Sequence, residues 1–141
     1  MDRVTSQNNE NNSSRRSLSV MVVEDNYADF RLLQLQLKRA GYRDIQYEHC
    51  LRLSEGVEKL QSCTPDVILL DLSLPDSWGY ESFENLNKVV SGIPIIILTG
   101  LIDEELAKYA VGQGAYRFLV KGQLSGNEMG QLLYDAVRVL A

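Results

Sequence analysis

Short apolar runs punctuate this chain, and between them apolar residues return every three or four positions. Val67-Ile68-Leu69-Leu70, bounded by Pro65 and Asp71, is too short for a helix. It predicts a strand buried on both faces of its sheet. Leu18 to Val23 predicts another, ending abruptly at Glu24-Asp25. Ile95 to Leu98 ends at Thr99-Gly100, and Tyr116 to Val120 ends at Lys121-Gly122. Ile45 to Cys50 alternates only partly and reads as a weaker strand.

The intervening stretches carry helical spacing and helix punctuation. Phe30, Leu33, Leu37 and Ala40 form one stripe, with Asn26 as N-cap, Asp29 near the positive end of the helix dipole and Gly41 as the stop. Leu53, Val57 and Leu60 mark a short helix that Gly56 should weaken. Pro75, Asp76 and Ser77 predict a turn; Phe83, Leu86 and Val90 then mark a helix that stops before Gly92 and Pro94. Asp103 can cap a helix bearing Leu106, Ala107, Ala110 and Val111, closed by Gly114. Ser125 and Glu128 form a capping box ahead of Met129, Leu132, Leu133, Ala136, Val137 and Leu140. Five strand–helix repeats with short connections require parallel strands, and right-handed crossovers put helices on both faces. The fold class is therefore α/β: a doubly wound, five-stranded parallel sheet in a three-layer (βα)5 sandwich.

Composition narrows the function. The chain has 141 residues, 45% hydrophobic and 23% charged, which suits one soluble domain. A net charge of −5 argues against direct nucleic-acid binding and offers no basic patch to a membrane. Residues 1–16 are polar and rich in Asn and Ser, so a disordered leader is expected there, with the folded domain spanning 17–141. Neither a signal peptide nor a membrane-length apolar run is present, and Cys50 and Cys63 read as reduced thiols, so a cytoplasmic location is expected. The uncapped finish Val137 to Ala141 reads as a helix that once continued, leaving open a stand-alone domain or an excerpt.

Chemistry gathers at the strand ends. In an open parallel sheet, ligands bind at the carboxyl edge of the strands. That edge should collect Glu24, Asp25, Asp71, Thr99 and Lys121. Three neighbouring carboxylates remain ionised together when a hard divalent cation lies among them, and magnesium suits carboxylate oxygens plus retained waters. Lys121 adds a positive charge on a flexible stem. Such a site is suited to carrying a phosphoryl group on Asp71, since a carboxylate can act as the nucleophile in phosphoryl transfer. Taken singly, Asp71 could merely cap a turn and Thr99 could be a plain strand former; their meaning comes from their order at successive strand ends.

With Val23-Glu24-Asp25-Asn26, Asp71-Leu72-Ser73-Leu74-Pro75-Asp76, Leu98-Thr99-Gly100 and Val120-Lys121-Gly122, the chain from Leu18 to Leu140 resembles the receiver domain of two-component response regulators. The resemblance implies a flavodoxin-like strand order 2-1-3-4-5. It implies Asp71 as phosphoacceptor, with Asp25 and Asp71 as direct Mg2+ ligands, Glu24 acting through water and Ser73 through its backbone carbonyl. Lys121 would pair with the phosphoryl oxygens, and Thr99 and Phe118 would be the switch pair. The donor would be a histidine kinase or histidine phosphotransfer protein. An output domain or downstream protein would read the switched face, and phosphorylation could drive a homodimer. No enzyme beyond slow autodephosphorylation is implied.

Two positions depart from the family pattern. Gly122 stands where many receivers carry proline, which should loosen the turn, and Phe118 lacks a phenol hydroxyl. Other functions fit less well. An FMN-binding protein needs a phosphate-cradling loop where Glu24-Asp25 would repel phosphate. A small Mg-dependent phosphatase would want a carboxylate two residues after its nucleophile, where Ser73 stands. A receiver-like interaction module working without phosphorylation has no need of the intact acidic pair, threonine and lysine. His49 is expected at the surface at the end of an outer strand. Trp78 reads equally as a partner anchor or as a shield over the site or the helix start that follows.

Overall fold

The computed structural model describes residues 17–140, and of the last two of these only the backbone; the expected leader over residues 1–16 lies outside the described residues. In chain order the elements are β1 Leu18–Val23, α1 Tyr27–Arg39, β2 Ile45–Cys50, α2 Leu53–Lys59, β3 Val67–Leu70, β4 Ser73–Leu74 and β5 Ser77–Trp78. There follow α3 Tyr80–Val89, β6 Ile95–Thr99, α4 Glu104–Gly112, β7 Arg117–Val120 and α5 Gly126–Leu140. The main sheet is parallel, in the order β2-β1-β3-β6-β7. Counted over its own five strands, that is the expected order 2-1-3-4-5.

Alternation along the central strands sorts the core into two layers. Val20, Val22, Leu69, Ile96 and Leu119 point toward α1 and α5, where Phe30, Leu33, Leu37, Met129 and Leu133 cover them. Met21, Val23, Ile68, Leu70 and Ile97 point the other way, under Leu53, Phe83, Leu86 and Ala110 of α2, α3 and α4. Each central strand is thus greasy on both faces. This is the packing reason for the all-apolar runs.

Several helix starts are as their sequences suggest. Asn26 Oδ1 accepts the Asp29 N–H at 3.1 Å, Asp103 Oδ1 accepts the Leu106 N–H at 3.0 Å, and Ser125 and Glu128 bond reciprocally. Other expectations need correction. The turn at Pro75-Asp76 joins a small antiparallel hairpin, β4 with β5, that no periodicity announced. Asp76 reaches from this hairpin to accept the N–H groups of Leu53 and Ser54 at 2.9 and 3.0 Å, capping α2 where Arg52 supplies no side-chain cap. Gly56 does more than weaken α2, because it lets the helix pack closely on β1: a Cβ there would lie 3.3 Å from Val23 Cγ2, a tight contact. Val111, expected on the buried stripe of α4, is exposed, and among the described residues of that helix only Ala110 is fully buried. Val90 lies just past α3 in extended backbone.

Candidate functional site

Register places the acidic residues. Val23 pairs with Leu70, so Glu24 and Asp71, the next residue on each strand, lie side by side. The Asp71 N–H donates to Val23 O at 3.0 Å and the Glu24 N–H to Cys50 O at 2.9 Å, which extends the ladder one residue past the regular strands. Glu24, Asp25 and Asp71 each present a ligand oxygen, all within 4.8 Å of one another. Glu24 and Asp71 are each only 5% exposed, whereas Asp25 is open to solvent. Oxygens so spaced match the donor set that a small hard cation prefers.

Lys121 arrives from the far strand. Thr99 pairs with Val120, and the Lys121 N–H donates to Thr99 O at 2.7 Å. The Lys121 ammonium then sits 2.6 Å from Glu24 Oε1, 2.7 Å from Asp29 Oδ2 and 2.9 Å from Asp71 Oδ2. Burial alone would depress this ammonium, but the three carboxylates outweigh it and hold Lys121 above its ordinary range. Burial pushes the Glu24 carboxyl up to about 7; the neighbouring Asp71 adds to this, while Lys121 and the Asn26 N–H pull the other way. Crowded acids with a single ammonium among them are short of positive charge.

The second oxygen of Asp71 is also satisfied, since Oδ1 accepts the Ser73 N–H at 3.1 Å. Asp71 therefore stands at the floor of an open cleft of about 390 Å³, walled by Glu24, Asp25, Asn26, Asp29, Ser73, Gly100, Leu101 and Lys121. Thr99 is buried, and its Oγ1 accepts the Leu101 N–H at 3.3 Å. Phe118 is half-buried, pairs with Ile97 across the sheet and packs on the core layer beneath α2, α3 and α4. The side chains of Phe118 and Thr99 thus lie outside the carboxylate cluster on the Lys121 ammonium, although both ride the strands that carry it.

Three features are illegible or misleading in the chain alone. Asp29 has the place of a helix-dipole residue, yet it is one of the three partners of Lys121. His49, expected as a plain surface residue, is half-buried: its Nε2 lies 2.7 Å from Glu24 O and its ring stacks on Phe30 at 3.8 Å between centroids. The turn at Gly122 is closed by two hydrogen bonds that its sequence does not announce. Gly122 takes φ +85, which proline cannot adopt, while Gln123 bonds Val120 through both its backbone N–H at 2.9 Å and its side-chain oxygen at 3.0 Å. Trp78 is 69% exposed on the hairpin, two residues before α3 begins at Tyr80.

Comparison with known proteins gives a consistent result. The family model described as the response regulator receiver domain matches residues 20–132. The KDP operon transcriptional regulatory protein KdpE of Escherichia coli (strain K12) is 34% identical over 103 residues, covering 73% of this chain and 44% of that protein. The transcriptional regulatory protein GlrR of the same organism is 32% identical over 110 residues, covering 77% and 24%. The chain therefore spans less than half the length of these curated relatives. Among solved structures, the beryllofluoride-activated NtrC4 receiver domain dimer superposes with a TM-score of 0.74 at 25% identity, covering 87% of this chain and 98% of that one.

Proposed function

This chain belongs to the response regulator receiver family, and on that premise we propose that Asp71 is its phosphoacceptor. The family comprises signalling phosphoacceptors that work with histidine kinases, not turnover enzymes. The observation that carries the assignment is the setting of Asp71: a buried carboxylate at the floor of an open cleft, bonded to Lys121 on one oxygen and to the Ser73 N–H on the other. One of its oxygens would attack the phosphorus of a phosphohistidine on a kinase or phosphotransfer protein. The P–N bond breaks, its electron pair stays on the imidazole nitrogen, which takes up a proton, and an acyl phosphate forms on Asp71. Lys121 holds the incoming phosphoryl oxygens. Thr99 exchanges its bond from the Leu101 N–H for one to the phosphoryl group, and Phe118 follows it inward, reshaping the face on β7 that an output partner reads.

The acidic triad has the composition of a receiver metal site. In this reading the ion is Mg2+, held by Asp25 and Asp71 directly, by Glu24 through water and by the Ser73 carbonyl. Bound there, it would supply the positive charge that Lys121 alone cannot. Residues 17–141 would form the receiver unit. Among the described residues, no helix is long and apolar enough to cross a membrane, which agrees with a proposed cytoplasmic location. The dimer named for the NtrC4 receiver supports, for this chain, a homodimer formed on phosphorylation.

Incubation with acetyl phosphate and Mg2+, followed by intact mass measurement, tests the assignment. Wild type is expected to gain one phosphoryl group and Asp71→Asn none. If wild type gains nothing while a known receiver is labelled in parallel, the domain works without phosphorylation.

A further inference from the structure

The receiver reading makes no use of Asp29, yet its Oδ2 lies closer to the Lys121 ammonium, at 2.7 Å, than does Asp71 Oδ2 at 2.9 Å. A lysine ammonium has three N–H donors, and here each has a carboxylate to meet: Glu24, Asp29 and Asp71. Asp29 is well placed to keep its share. It sits in the first turn of α1, where its own N–H is held by the Asn26 cap. It also lines the cleft above Asp71, so its charge faces the space a phosphoryl group would enter.

We propose that Asp29 is a positioning residue that acts through Lys121, holding the ammonium in the resting state and competing for it with the phosphoryl group. The inference rests on Asp71 being the phosphoacceptor. Glu24, Asp25 and Asp71 carry three negative charges, which a divalent cation and Lys121 balance. Asp29 is a fourth carboxylate and leaves the cleft with one negative charge in excess before any phosphoryl group arrives. An acyl phosphate adds another. A phosphoryl oxygen must therefore draw Lys121 away from a competing anion, and the site holds its phosphoryl group less tightly than the triad and lysine alone would. The Asp29 side chain is 40% exposed, so solvent screens the pair and the effect is modest, roughly a threefold change in affinity.

Beryllofluoride, a phosphoryl mimic, is the probe. Its affinity is measured by fluorine NMR at saturating Mg2+ for wild type, Asp29→Asn, Asp29→Glu, Lys121→Ala and the Asp29→Asn/Lys121→Ala pair. Asp29→Asn should bind beryllofluoride about threefold or more tightly than wild type. Asp29→Glu should return toward wild type, because it restores the charge. A damaged fold cannot produce a gain in affinity, so a merely structural role for Asp29 would not give this result. In the Lys121→Ala background the Asp29 substitution should bring no gain, as expected if the two residues act as one unit. Unchanged or weaker binding by Asp29→Asn overturns the proposal, as does an equal gain without Lys121, which would mean direct repulsion. Absence of beryllofluoride binding by wild type removes the phosphoacceptor reading itself, and the proposal with it.

Discussion

The seam between α1 and α5 offers a test in which two familiar effects of glycine oppose each other. Gly126 and Gly130 stand one turn apart on α5, facing α1 and the residues that follow it. A Cβ on Gly126 would overlap the carbonyl oxygen of Gln36 and lie 2.7 Å from its carbon, both backbone atoms in the last turn of α1. A Cβ on Gly130 would drive into the Tyr42 ring, 2.5 Å from Cζ. Alanine in place of glycine favours a helix interior by about 1 kcal/mol, the full value at Gly130 and an upper bound at Gly126, the first residue of α5. Overpacking of a filled interior costs about 1–3 kcal/mol, and rigid backbone belongs at the upper end of that range. Gly126→Ala should therefore lose about 1–2 kcal/mol net. Gly130→Ala should lose less, because a side chain can move. Gly112, exposed at the end of α4 with nothing within 4 Å of where a Cβ would stand, is the control, and Gly112→Ala should be neutral or gain a few tenths of a kcal/mol. Urea unfolding followed by circular dichroism reads all three. With a slope of about 1–3 kcal/mol per molar, the Gly126→Ala midpoint should fall by roughly 1 M at constant slope. A Gly126→Ala protein as stable as wild type, or more so, would refute this, for helix propensity would then outweigh the helix contact. The seam matters to the site because α1 carries Asp29 in its first turn.

Further expectations follow from single contacts. Asp76→Ala should cost about 1 kcal/mol in urea unfolding, since it removes both bonds that cap α2; Asp76→Asn should recover part of the loss. Cys50 is buried, and burial pushes its thiol up from 9.0 to about 11. Its folded pKa is the higher one, so the neutral thiol contributes stability that is fully present below pH 9 and lost as pH rises through about 11. At about pH 8, below the ordinary thiol pKa, a thiol reagent should modify the half-buried Cys63 in the native protein and reach Cys50 only on unfolding; two rapidly reacting thiols would contradict this. Ser73, on the wall of the cleft two residues after Asp71, should influence the phosphorylated lifetime. Equal dephosphorylation rates for wild type and Ser73→Asn, followed by intact mass, would remove that role.

What the chain determined by itself is what local chemistry encodes. Strands greasy on both faces, such as Val67 to Leu70, require covering layers on each side. Caps such as Asn26, Asp103 and the Ser125/Glu128 pair act within three residues of themselves, so their partners were readable in place. The acidic residues, Thr99 and Lys121 were readable because each ends a strand, and parallel strands bring their ends to one edge. The tertiary structure alone decided the matters that depend on distant partners. Asp76 caps a helix more than twenty residues earlier, His49 meets the carbonyl of Glu24, and Gly126 and Gly130 are glycines because of Gln36 and Tyr42. Asp29 is the sharpest case. Its place one turn into α1 predicts a contact with the helix dipole. Only the register between β6 and β7 and the closed turn at Gly122 bring Lys121 across to it. A charge pair between residues 92 positions apart leaves no periodic trace, because each partner is free to be polar for its own local reasons.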